Sequence, residues 1–195
     1  MESLAIRDGA VLRPCSDEDA AELTAMVASN REHLAPRLPW AATYGYQDSL
    51  DYIAKSRAQL EAGDGFEGAI VVEGEIVGGA GFHAIDRLNH STSIGYWLAA
   101  EAQGSGLMTA TVRALVDHAF GPWELHRVVI EAVVDNVRSR AIPERLGFTE
   151  EGIAREAKRI RGRYEDAVLY AMLTSDWAAA SGRADDDRGA GRMAS

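Results

Sequence analysis

The sequence predicts an α/β fold of the mixed-sheet kind, a mostly antiparallel central sheet with one βαβ unit inside it. Two observations carry that expectation. Two β-rich runs, Glu67 to Val72 and Ile76 to Phe82, flank a turn at Glu73-Gly74 and read as a hairpin. A strand-like run from Ser93 to Leu98 gives way to a helical apolar pattern from Gly106 to Phe120, and then to a second β-rich run, His126 to Val134. A strand, a crossover helix and another strand imply parallel neighbours. At 195 residues, with 47% apolar and 26% charged residues, the chain suffices for one well-cored domain, expected over residues 1–177.

In chain order, Ala10 to Pro14 reads as a first strand that the proline ends. Ser16-Asp17-Glu18-Asp19 supplies a cap and an acidic first turn for a helix through Val27, with Ala21, Leu23, Met26 and Val27 on its apolar side. Pro36 and Pro39 break the segment Arg31 to Gly45, which carries Leu34, Leu38, Trp40 and Tyr44 and cannot be regular helix. A second helix is expected from Ser49 to Ala62, with Leu50, Ile53, Ala54 and Leu60 on one side. The hairpin follows, its second strand thinned by Gly78, Gly79 and Gly81, which suggests close approach of a backbone or a ligand.

After the loop Asp86 to His90 comes strand 93–98, and three strands on short connections imply an antiparallel meander. The helix to Phe120 presents Met108, Val112, Leu115, Val116 and Ala119 on one face and an Arg113–Asp117 pair to water. The run His126 to Val134 reads as buried on both faces. Asp135-Asn136 caps a short helix, Val137 to Leu146, which Gly147 ends as a left-handed C-cap. Two last strands, near Phe148 to Glu156 and Ala167 to Thr174, are joined by the basic stretch Lys158 to Arg163. Residues 178–195, small, polar and containing Asp185-Asp186-Asp187, read as a disordered tail.

A net charge of −10 argues against a nucleic-acid partner and leaves room for an amine-bearing substrate. The single cysteine, Cys15, excludes an internal disulfide and a cysteine metal site, and reads as a packed thiol. No signal peptide is evident and no run of about 18 apolar residues could span a membrane. The cytoplasm is the expected location.

The chemistry points to Gln103-Gly104-Ser105-Gly106, set between strand and helix. Unpaired amides at a helix N-terminus and the helix dipole favour an anion there. A dinucleotide fingerprint fails because Thr109 stands where a third glycine is needed, and a P-loop fails because no lysine lies between Lys55 and Lys158. What remains is a loop able to wrap a diphosphate with backbone amides.

Ile94-Gly95-Tyr96-Trp97-Leu98, the Gln103 loop, and the run from Asn136 through Ser139, Pro143 and Gly147 to Phe148, at this spacing, closely resemble the GNAT superfamily of acyl-CoA N-acyltransferases. Within it they look most like the branch that acetylates N-terminal amines of ribosomal proteins. The resemblance spans about Leu12 to Trp177. It implies the GNAT fold, acetyl-CoA as co-substrate, no metal, and direct attack of a neutral amine on the thioester. By the same resemblance Gln103, Gly104, Ser105, Gly106, Leu107, Met108 and Thr109 hold the donor, the diphosphate resting on amides of Gly104, Gly106, Leu107 and Met108. Tyr96, Trp97, Leu98 and Asn136 follow the pantetheine arm past a bulge near Tyr96 and Trp97, and a backbone NH near Trp97 or Leu98 stabilises the oxyanion. Trp40 and Tyr44 wall the acceptor, a protein N-terminus by first choice. Pairing of last strands into a homodimer is a further implication.

The departures matter. Pro143 stands where many members carry the tyrosine that protonates the departing thiolate, so Ser139 is the expected catalytic acid and the helix is expected to kink. Ser93 stands where related sequences often have glutamate, and Met108 where they have glycine or alanine. His83, His90, Glu131 and Glu156 are left as candidates for the base. An α-amine, with a pKa near 7.7–8.0, is a tenth or more neutral at pH 7, so an N-terminus needs little help from a base. The rival readings are a small-molecule amine acetyltransferase, a non-catalytic acyl-CoA-binding module, and a transferase of another acyl group.

Overall fold

The computed structural model describes residues 3–83 and 85–179. Its strands are β1 (Leu4–Arg7), β2 (Ala10–Arg13), β3 (Phe66–Val72), β4 (Glu75–Phe82), β5 (Ser91–Leu98), β6 (Arg127–Val133), β7 (Thr149–Ile160) and β8 (Arg163–Leu173). Its helices are α1 (Ala20–Ser29), α2 (Arg31–Leu34), α3 (Tyr46–Ala62), α4 (Leu107–Phe120) and α5 (Val137–Leu146). One sheet runs in the order β1-β2-β3-β4-β5-β6-β8-β7, and only the β5–β6 pair is parallel. This is the mixed, mostly antiparallel sheet expected, with β5-α4-β6 as its βαβ unit.

α4 crosses the sheet with Leu107, Met108, Val112, Leu115, Val116 and Ala119 buried on the core cluster of Phe66, Phe82, Ile94 and Val128. Its outer residues behave differently from the expected surface pair. The Arg113 guanidinium lies over the Trp177 ring at 5.2 Å, and Asp117 accepts a 2.7 Å bond from the indole N–H of Trp177. The two charges thus clasp a buried tryptophan, in helical chain over 174–179, where strand was expected to run on to Thr174. The tail expected from Ala178 lies, beyond Ala179, outside the described residues.

Several other expectations are corrected. β1 was not foreseen. α3 begins three residues early, at Tyr46, and buries Ser49 and Ser56 rather than Ala54. Both hydroxyls are bonded, Ser49 to Thr24 at 2.8 Å and Ser56 to the Glu67 carbonyl at 2.5 Å, so small polar residues suit the tight contacts with α1 and β3. β6 is buried on one face only: Val128, Ile130 and Ala132 are buried while Glu131 is exposed, because the other face looks into a cavity rather than onto a helix. The basic stretch is the tip of a long β7–β8 hairpin, turned by Arg161 and Gly162 in left-handed conformation. The expected bulge at Tyr96 and Trp97 is absent, since the ladder with β4 runs unbroken from Ile94 to Leu98.

Candidate active site

The parallel pairing of β5 with β6 stops at Ser93↔Val129. Beyond it the strands part, so the β6-facing backbone groups of Ile94 to Leu98 have no ladder partner. The gap, not a bulge, frees them. Ligands of open sheets bind at the carboxyl ends of parting strands.

Two cavities open on either side of this gap. One, of about 1150 Å³, is lined by Gln103, Gly104 and Gly106, by Leu107 to Ala110, and by Arg138, Ile142 and Arg145 of α5. The other, of about 830 Å³, is lined by Trp40 and Tyr44, Tyr52 of α3, Glu67, His83, Glu131 and Lys158. Arg37, Leu38, Tyr96, Trp97, Asn136 and Ser139 border both.

The first cavity is bordered by groups that could hold an anion. Gly104 and Gly106 sit at φ +80° and +76°, where other side chains are strained, and a Cβ on either would meet nothing within 4 Å. Leu107, Met108 and Thr109 open α4 with amides that have no intrahelical acceptor. The Leu107 and Met108 side chains pack in the core. Gln103 is fixed at both ends of its amide: Oε1 accepts from Arg138 at 2.7 Å, and Nε2 bonds the His33 ring at 2.7 Å. Arg7 donates to the Ser105 carbonyl at 2.8 Å and Arg145 to the Thr109 hydroxyl at 2.8 Å. Three arginines from two elements therefore ring the loop. Sequence reasoning missed them; Arg138 and Arg145, seven apart on one helix, were the only available signal.

At the junction, Tyr96 and Ser139 form a reciprocal pair. The Tyr96 hydroxyl donates to the Ser139 carbonyl at 3.1 Å and accepts from the Ser139 hydroxyl at 3.2 Å. α5 runs through Pro143, and a proline at that place cannot donate to the carbonyl four residues back, which is that of Ser139. The phenol takes the acceptor the proline leaves free. Burial pushes the Tyr96 pKa up to about 12 in spite of that contact with Ser139, so it stays a donor. Asn136 caps the helix, accepting from the Ser139 amide at 3.3 Å.

In the second cavity, Trp40 meets Tyr44 edge-on at 5.2 Å and Trp97 at 5.6 Å. The Trp97 ring lies on Gly79, where a Cβ would come within 2.7 Å of its indole nitrogen. Arg37 is bonded to Asp135 and holds its carboxyl below the usual range. Of the four candidate bases, His83 and Glu131 line this cavity, whereas His90 and Glu156 do not. Cys15 is a packed thiol, pushed up to about 11 by burial.

Residues 10–149 match the family model of the acetyltransferase (GNAT) domain. The chain belongs to the GNAT acetyltransferases. This acetyltransferase is 34% identical over 174 residues to the YdaF protein of Bacillus subtilis, covering 88% of this chain and 95% of that one. It is 32% identical over 178 residues to the [ribosomal protein uS5]-alanine N-acetyltransferase of Escherichia coli, covering 87% and 90%. Its structure superposes with a TM-score of 0.84 on the RimL ribosomal L7/L12 alpha-N-protein acetyltransferase in complex with coenzyme A, at 28% identity over 90% of this chain and 99% of that one. Acetyl-CoA is the donor this family uses, and the amides that open α4, with Arg138 and Arg145 on the cavity wall, could hold a coenzyme's diphosphate. Among the described residues no helix is long and apolar enough to cross a membrane.

Proposed function

We propose that this acetyltransferase moves the acetyl group of acetyl-CoA onto the α-amine of a protein N-terminus. The observation that carries the reading is the pair of cavities meeting at Tyr96 and Ser139. The coenzyme enters along Gln103 to Thr109, its diphosphate on the amides that open α4, and its pantetheine arm passes Asn136 and the unpaired edge of β5. The thioester then lies at the junction, with a β5 backbone NH facing the oxyanion and the Ser139 hydroxyl facing the departing sulfur. The acceptor enters between Trp40, Tyr44 and Trp97. Relatives named for ribosomal-protein acceptors support a protein N-terminus over other amines.

The test is calorimetric titration with acetyl-CoA, followed by mass spectrometry after incubation with alanine- and serine-initiated peptides and small amines such as spermidine. Acetylation of a peptide α-amine is the expected result. Transfer only to a small amine would replace the acceptor class, and binding without transfer would favour a non-catalytic acyl-CoA-binding protein.

A further inference from the structure

We propose that His83 is the base that takes the proton from the incoming ammonium group, with Glu67 as its positioning partner. The assignment rests on the acyl-transfer reading above. His83 follows β4 directly and is tied to β5 on both sides of its backbone, its amide donating to the Ser93 carbonyl at 2.9 Å and its carbonyl accepting from Thr92 at 2.9 Å. Its imidazole lies across Gly95: a Cβ there would stand 2.5 Å from Nε2. Only glycine leaves that space. Nδ1 faces the Ser93 hydroxyl at 3.4 Å, and Nε2 faces Glu67 Oε1 at 3.9 Å.

Gly95 and Tyr96 are successive residues of β5, so their outward directions are opposite. The imidazole therefore stands on the acceptor face of the strand at the very point where Tyr96 and Ser139 stand on the donor face. An amine crossing the gap meets a base behind it and a hydroxyl beyond the thioester.

The other ionisable groups of this cavity are committed elsewhere. Glu131 of β6 is paired with Lys158 of β7. Asp48 of α3 accepts from the Gly45 amide at 2.8 Å as a helix cap. The Tyr44 and Tyr52 phenols are held protonated by burial. Arg159 of β7 and Arg37 cannot accept a proton. His83 has a side chain 56% exposed, which lets it release the proton to water.

In the step so assigned, one ammonium proton passes to His83 and the neutral nitrogen attacks the thioester carbon. A C–N bond forms, the C–S bond breaks, and the second nitrogen proton leaves with the sulfur as free thiol.

The experiment compares kcat/KM against pH for wild type, H83Q, H83A and E67Q with acetyl-CoA and a short alanine-initiated peptide. At pH 6.5 the H83Q value should fall roughly 100-fold with an unchanged KM for acetyl-CoA, in line with the usual worth of a general base. The gap should close above about pH 8, where α-amines deprotonate unaided. Imidazole in the buffer should restore part of the H83A activity, and E67Q should show a smaller loss with the same pH dependence. An H83Q profile parallel to wild type, or an equal loss at every pH without imidazole rescue, would overturn the assignment. Wild-type protein that binds acetyl-CoA and acetylates neither the peptide nor spermidine would instead overturn the transferase reading.

Discussion

The Tyr96–Ser139–Pro143 arrangement makes a quantitative prediction that separates it from ordinary packing. In Tyr96→Phe the ring remains, but the Ser139 carbonyl loses a donor and the Ser139 hydroxyl loses an acceptor. At about 1 kcal/mol net per intramolecular hydrogen bond, the cost is about 2 kcal/mol of folding stability. Pro143→Ala returns an N–H to the helix, placed to bond the same carbonyl. In that background only the hydroxyl contact is lost with the phenol, so Tyr96→Phe should cost about 1 kcal/mol less than in wild type. Equilibrium urea unfolding followed by tryptophan fluorescence on the four members of the cycle measures the coupling. Costs additive to within about 0.3 kcal/mol would refute the claim that the phenol occupies the place of the missing helix bond.

Other outcomes follow from the same geometry. Gly106→Val should abolish acetyl-CoA binding, because a β-branched residue cannot hold φ +76° and the amides behind it would turn away; unchanged affinity by calorimetry would remove the diphosphate site from this loop. Ser139→Ala should lower kcat more than affinity for coenzyme A, read by steady-state kinetics beside calorimetry, and an equal loss of both would make the hydroxyl a binding group. His118 is held below its usual pKa by burial, and its Nε2, between Phe82 and Trp123, is buried with no partner among the described residues. A histidine kept neutral by the fold contributes stability above its unfolded value, lost as pH falls below about 6.5. His118→Phe should therefore flatten the acid side of the stability–pH curve, and an unchanged slope would rule His118 out as its source.

The βαβ unit and α5 were legible because their signals are local. α4 carries a full apolar stripe, Gly147 stops α5 at φ +80°, and Asn136 bonds the amide three residues on. β1 escaped because it is only four residues long, too short for its alternation to be read. β7 escaped at its far end because nearly all of its twelve residues are exposed, so nothing alternates, and its turn lies inside a basic run. The same division holds at the site. The loop glycines, Asn136, Ser139 and the aromatic pair Trp40 and Tyr44 announce themselves by spacing or by resemblance. Arg7 beside Ser105, and the choice of His83 over His90, depend on which distant segments the sheet brings together.

The most direct test of the two-cavity site is a crystal structure with coenzyme A bound. The assignment predicts the diphosphate against the amides of Gly106 to Thr109, and the thiol sulfur within hydrogen-bond reach of the Ser139 hydroxyl, on the far side of β5 from His83. A diphosphate lodged elsewhere, or a sulfur that does not reach the junction of the two cavities, would contradict it.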